Sequence, residues 1–224
     1  MAGTEVTKPF AWSYSALEQF ENCPKQYYHL RVLKDIKEEK SEHMTYGNEV
    51  HLALFERVVN GKPLPLRFRH LEAMADKLAN TSGEKHGELR LALSADFEPR
   101  EFFDSDVFVR SIIDLLVIRK RRAIILDYKT GKMKDDFTQL KLSAAVLSKF
   151  MPELETFDVG YVWLKDRKIT QVTLKLDDFS ALWADLLSRV RGIQAALSTT
   201  SFQARPSPLC KWCPVASCPH HSSK

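Results

Sequence analysis

The chain has 224 residues, 44% of them apolar, which is ample for a packed core and fits a single domain over residues 1–224. Its 33 basic and 29 acidic residues leave a net charge of +4, a mild excess that suits an anionic partner without demanding one. Met1 to Lys8 contains no apolar signal segment, and no stretch approaches the ~20 apolar residues that cross a bilayer. The expectation is a cytoplasmic protein, neither secreted nor membrane-spanning.

In chain order, Ser13 to Leu33 reads as two short helices broken at Cys23-Pro24, since Pro cannot continue the first helix but suits the first turn of the second. Ser15-Ala16-Leu17-Glu18 has the form of a capping box. Tyr27, Tyr28, Leu30 and Leu33 give the second segment an aromatic-rich, apolar character that reads as core packing. A helix is expected from Tyr46-Gly47 to about Val59, with Val50, Leu54 and Val58 as its buried stripe and His51 beside it. Leu64 to Ala79 reads as another helix with a solvated basic face. Thr81 to Gly87 reads as a polar loop, and Glu88 to Leu93 alternates as a strand does.

The next two runs, Val107 to Ile118 and Ala123 to Lys129, are apolar and rich in β-branched residues, and the second ends at the breaker Thr130-Gly131. If Arg119-Lys120-Arg121-Arg122 forms the hairpin loop between them, Ile118 faces Ala123 and Asp114 falls opposite Asp127. Two carboxylates about 5 Å apart in an apolar sheet repel and require a proton or a cation between them. Mg²⁺ or Mn²⁺, with their preference for hard oxygen ligands, suit that position. Alternation puts Lys129 on the same face as Asp127 and Tyr128 on the other. The basic run Arg119, Lys120, Arg121 and Arg122 is either a solvated hairpin tip or a contact to nucleic-acid phosphate.

Asp136 to Phe150 is an amphipathic helix that carries Gln139. Phe157 to Leu164 and Lys168 to Leu176 are two further strands. Asp177 or Asp178 is placed to cap a final helix running to about Leu197. Cysteine occurs only at Cys23, Cys210, Cys213 and Cys218. In a cytoplasmic chain such a set points to metal or cluster binding rather than disulfides. Closing so long a loop costs only about 2 kcal/mol more than closing a short one. Thiolate–metal bonding in structural sites is worth on the order of 10 kcal/mol or more, so the bonding dominates. Four thiolates suit zinc or an iron–sulfur cluster equally well.

These pieces together resemble the PD-(D/E)XK nuclease superfamily, and within it the RecB-like exonucleases that carry an iron–sulfur cluster. The likeness rests on Asp114 followed by Asp127-x-Lys129, on the Cys-Pro with its aromatic-rich helix, on Gly47-x-x-x-His51, on Glu88 at the start of a strand, on Gln139, and on the closing cysteine triad. The CRISPR-associated RecB-like exonucleases and the AddB nuclease domain share the arrangement of one N-terminal Cys-Pro and a C-terminal triad. The triad here has a shorter last gap than is common there, and Ser143 stands where Gln-x-x-x-Tyr would put a Tyr. The resemblance implies an α/β fold, a central mixed sheet flanked by helices, with its ends clasped by a 4Fe-4S cluster on Cys23, Cys210, Cys213 and Cys218. It implies metal ligation by His51, Asp114, Asp127 and the Tyr128 carbonyl, with Lys129, Glu88 and Gln139 serving catalysis. The implied activity is hydrolysis of DNA from its ends, on single strands and in the 5′→3′ direction. A non-hydrolytic DNA-binding protein that keeps the fold and the cluster, or zinc in its place, is the alternative.

Overall fold

The computed structural model describes residues 10–37 and 41–221. Six strands form one mixed sheet in the order β2-β1-β3-β4-β5-β6. They are β1 (Glu84–Ser94), β2 (Pro99–Arg100), β3 (Val107–Arg119), β4 (Arg122–Lys129), β5 (Thr156–Trp163) and β6 (Lys168–Lys175). All neighbours are antiparallel except β4 and β5. That parallel pair needs a crossover, supplied by helix α5 (Thr138–Phe150). The expected α/β architecture, a mixed sheet flanked by helices, is therefore present.

Each face of the sheet has its own core. On one face α1 (Tyr14–Asn22), followed by the short α2 (Pro24–Tyr27), packs with α5 and α6 (Asp178–Thr199), and Leu17, Phe20, Leu140, Leu147, Leu186 and Val190 are buried against Ile113, Ile125 and Val159. On the other, α3 (Glu42–Val58) and α4 (Glu72–Ala79) bury Val50, Leu54, Ala75 and Leu78 against Leu115, Leu126 and Tyr128. Among the described residues no helix is long and apolar enough to cross a membrane.

Several boundaries differ from expectation, each for a local reason. Ser13, not Ser15, caps α1: its Oγ accepts from the Ala16 amide at 3.3 Å. Helix α3 starts at Glu42 because Ser41 caps it, and Gly47 lies inside the helix instead of opening it. Leu64 to Ala79 divides into a 3-10 turn, Leu66–Leu71, and α4. The polar stretch expected to be a loop before Glu88 is strand from Glu84, since the long β3 supplies main-chain partners down to Ile118. The Arg119–Arg122 loop is tighter than expected: Arg119 pairs with Arg122, leaving a two-residue turn with Lys120 at φ 54°. The expected facing pair, Ile118 and Ala123, is observed. Asp178 accepts from the Lys175 amide at 2.7 Å instead of capping a helical amide.

One irregularity shapes the site. Along β3, Val109 and Ile113 face the first core while Leu115 and Val117 face the second. Strict alternation would put all four on one face. The faces exchange at Asp114. Across the ladder the same happens on β1, where Leu89 packs on the first core and Gly87 lies under Phe55 of α3. The pivot is Glu88, a non-glycine residue at φ 51°, and the Glu88–Asp114 pair is missing from a register that is otherwise continuous from Glu84 to Leu93. The left-handed conformation costs about 1–2 kcal/mol. The surrounding ladder, in register on both sides, holds it in place.

Candidate active site

The site lies where β3 and β4 part. Their pairing ends at Leu115 and Leu126, so Asp114 is not a regular partner of Asp127, although the register continues to that position. The kink turns the Asp114 carboxylate toward β4, and its Oδ2 accepts from the Tyr128 amide at 2.9 Å. His51, from the second-core face, approaches the same two groups. Its Nδ1 is 3.2 Å from Asp114 Oδ2 and its Nε2 is 2.8 Å from the Tyr128 carbonyl oxygen. Glu88 completes this side: ligand atoms of His51, Glu88 and Asp114 all lie within 4.8 Å of one another.

A second group sits on the first-core side of β4. Asp127 and Lys129 share that face, and Lys129 Nζ lies 2.8 Å from Asp127 Oδ2. Gln139, in the first turn of α5, bridges them: it accepts from Lys129 Nζ at 3.2 Å and donates to Asp127 Oδ1 at 3.1 Å. Tyr161, the β5 partner of Asp127, lies under the lysine, with its ring centre 5.2 Å from Nζ. Nothing in the sequence pattern singles out Tyr161, because its strand reads as a buried apolar run and only the parallel register brings it here. The position of the absent Tyr is filled by Ser143, buried and hydrogen-bonded to Ser111 at 2.8 Å.

The electrostatics follow from this crowding. Asp114 has its pKa raised from 3.8 to about 7, first by burial and then by the charge of Asp127, with His51 and the Tyr128 amide opposing. The Tyr128 hydroxyl is also pushed up, mainly by burial. Asp127 Oδ2 is buried and, apart from its ion pair with Lys129, has no hydrogen-bond partner. A buried carboxylate is costly unless it is paired, and the Lys129 ammonium at 2.8 Å is what balances Asp127 here. His51, Glu88 and Asp114, with the Tyr128 carbonyl beside His51, form a mostly hard-oxygen set of the kind Mg²⁺ or Mn²⁺ prefers, and Asp127 lies outside that 4.8 Å group.

The basic turn is elsewhere. Arg119 to Arg122 lies at the opposite end of β4, roughly 16 Å from Asp127 at about 3.3 Å per residue. Arg122 is committed to Asp158, with Nη2 donating to Oδ1 at 2.7 Å, and Arg121 to Glu155 at 2.6 Å. The structure does not bring this run to the site.

The two chain ends do meet. Cys23, Cys210, Cys213 and Cys218 line one small cavity together with His220 and His221. All four are free and half-buried. Burial, and then the charges of the other three thiols, raise the Cys213 pKa. Their sulfurs do not form a compact knot: among the described residues, the group of three or more candidate ligands lying within 4.8 Å of one another is the His51, Glu88 and Asp114 set.

A mixed sheet with paired acids and a lysine at the parting of two central strands is the architecture of a nuclease. The chain belongs to the PD-(D/E)XK nuclease superfamily, whose sequence model matches residues 11–219. Nucleases of this superfamily act on DNA with divalent metals. No curated protein sequence matches the chain. Among solved structures it is similar to the crystal structure of SSO0001, at TM-score 0.50 and 15% identity over 98% of this chain and 91% of that one. It is also similar to a protein of Eubacterium rectale named "Putative exonuclease", at TM-score 0.54 and 12% identity over 95% of this chain and 92% of that one. At such identities these two likenesses concern the fold alone.

Proposed function

We propose that the protein is a DNA exonuclease that hydrolyses phosphodiester bonds from DNA ends, acting on single strands, in the cytoplasm. The observation that carries the nuclease site is the convergence of His51, Glu88 and Asp114 within 4.8 Å of one another beside the Tyr128 main chain, with the Asp127–Lys129 pair flanking that residue on β4. His51, Asp114, Asp127 and the Tyr128 carbonyl would hold Mg²⁺ or Mn²⁺, with Glu88 within reach. A divalent ion bound there lowers the pKa of a ligated water and offsets charge on the phosphate. Lys129 orients the attacking water or stabilises charge that develops on the phosphate oxygens. Gln139 holds Lys129 and Asp127 in mutual register. Digestion from ends and on single strands rests on likeness to the RecB-like exonucleases, as does service in recombination, repair or phage and CRISPR DNA processing.

The same reading gives the cysteine cavity a structural 4Fe-4S cluster. Four thiols from the two segments face one space, which is what supports this reading. A single tetrahedral zinc, with Zn–S of about 2.3 Å, would draw four sulfurs to roughly 3.8 Å from one another. Among the described residues no three of these sulfurs lie within 4.8 Å of one another, so a mononuclear centre would require them to close up.

The test is digestion of end-labelled linear and closed circular DNA, single- and double-stranded, with Mg²⁺ or Mn²⁺. Linear substrates should be degraded from their ends and circles spared, and Asp114→Ala or Lys129→Ala should abolish cutting. Cutting that survives both substitutions in clean preparations overturns the assignment of the site.

A further inference from the structure

The edge of β3 is open beside the site. β4 pairs with it only from Leu115 onward, and Trp12 takes up the same edge at Val109, donating to Phe108 and accepting from Arg110. Between these contacts Ser111 to Asp114 has no strand partner on that side among the described residues. A cleft of about 240 Å³ opens there, lined by Gln139, Ser13, Ile112, Arg110 and Phe102. One water needs only about 10–15 Å³ on the same measure, so the cleft is sized for a ligand. It adjoins a second, larger cleft that shares Arg110 and Ser13 and carries Arg31 and Lys34.

The rim of this cleft is aromatic and basic. Phe102 and Phe103 meet edge to face at 5.1 Å, and Phe103 is 77% exposed. The Arg90 guanidinium stands 5.7 Å from the Phe102 ring centre and 6.0 Å from that of Phe103, and Arg110 stands 5.6 Å from Phe102. Arg110 also donates to the Phe102 carbonyl at 2.7 Å, which pins the loop over the cleft. The nearby acids are engaged locally: Asp106 with Arg100, and Asp104 with the Glu101 amide. Exposed rings interleaved with guanidinium groups along an open groove are the physical requirements for a flexible polyanion with stackable bases.

We propose that this cleft seats single-stranded DNA adjacent to the scissile phosphate, with bases stacking on Phe102 and Phe103 and Arg90 engaging the backbone. The position of the scissile phosphate rests on the nuclease reading above; the binding itself does not. A rigid duplex cannot present unstacked bases to these rings, so the cleft selects single strands.

The test uses the full chain in EDTA, with fluorescence anisotropy of a labelled oligothymidylate and of a blunt duplex of equal length. Phe103→Ala should weaken oligothymidylate binding about 5- to 150-fold, the range that one stacking contact gives, and change duplex binding less than twofold. Arg90→Gln, at an exposed position that leaves the core intact, should weaken it and flatten its salt dependence. Both should hydrolyse bis(p-nitrophenyl) phosphate with Mn²⁺ at the wild-type rate. Unchanged oligothymidylate affinity in both variants, or an equal loss on duplex, overturns the proposal. A wild-type protein that binds through these residues yet cuts neither substrate would instead remove the nuclease reading and leave the cleft assignment standing.

Discussion

The Asp114 carboxylate takes the main-chain amide of Tyr128 at 2.9 Å, in the place where a strand neighbour's carbonyl would otherwise continue the β3–β4 ladder. His51 takes the carbonyl of the same residue. The Tyr128 peptide is thus held at both ends by side chains read as metal ligands, and it is the hinge between the His51–Glu88–Asp114 group and the Asp127–Lys129–Gln139 group.

Asp114→Asn separates chemistry from stability. Asn keeps an oxygen for the Tyr128 amide but removes a charge that burial and Asp127 both oppose. Turnover with Mn²⁺ should fall about 100-fold or more. The metal-free protein at pH 8 should melt higher, by about 2–4 °C for each kcal/mol of relieved repulsion. Circular dichroism melts in EDTA decide this, and a lower Tm would show that the charge is not the burden described.

The same carboxylate sets a pH dependence. Its pKa is 3.8 when unperturbed and about 7 in the folded chain, so the folded state holds the proton more tightly. Between about pH 4 and 7 the folded state carries the extra proton, and stability declines as pH rises through that window, then levels off. Melting temperature in EDTA should therefore fall across this range. With Mn²⁺ present the fall should disappear, and apparent Mn²⁺ affinity should rise with pH up to about 7. A flat EDTA profile in that interval would contradict it.

Much of this was readable in the residues. Ile118 facing Ala123, Asp127 sharing a face with Lys129, and five of the six strands follow from alternation and from the Thr-Gly break, while the two-residue β2 does not. The change of faces at Asp114 was not readable. It depends on Glu88 adopting a left-handed conformation, and nothing in Gly87-Glu88-Leu89 signals which of the two residues carries it. Gln139 was marked by likeness, yet its bridge between Lys129 and Asp127 depends on how α5 docks, which is tertiary. The basic run at Arg119 to Arg122 lies at the turn between β3 and β4, where the sequence puts it, and two of its members pair with Asp158 and Glu155, contacts that only the tertiary fold supplies.

Glu88 has two separable roles. Glu88→Gly should stabilise the metal-free chain by about 1 kcal/mol, since glycine adopts φ 51° freely. Glu88→Ala keeps the strain. Both should weaken Mn²⁺ binding measured by calorimetry, because both remove the carboxylate near His51 and Asp114. If Mn²⁺ affinity is unchanged in both, Glu88 serves the backbone alone.

Gly87 is where fold and site are coupled. A Cβ there would meet Phe55 at 2.3 Å and Val59 at 3.1 Å, and Phe55 stands one turn of α3 from His51. Gly87→Ala should cost about 1–3 kcal/mol, as overpacking does, and weaken Mn²⁺ binding by displacing α3. Gly131→Ala, with nothing within 4 Å, is the control and should stay within about 0.5 kcal/mol. Equal melting temperatures for the two variants would mean that α3 yields without disturbing His51.

The cysteine cavity gives the last prediction. Protein purified without oxygen should be brown, with four iron and four sulfide per chain, if Cys23, Cys210, Cys213 and Cys218 hold a 4Fe-4S cluster. Cys23→Ser should release the iron even though it lies in α1's C-cap, far in sequence from the other three. A cluster there would tie α1 to the chain end, so its loss should lower the melting temperature, while the Glu21–Arg189 pair, donor to acceptor 2.7 Å, still holds α1 to α6. The variant should therefore remain folded, with its β-sheet signal intact. Colourless protein containing one zinc per chain would replace the cluster with a mononuclear site, and the sulfurs would then have to close up to about 3.8 Å from one another.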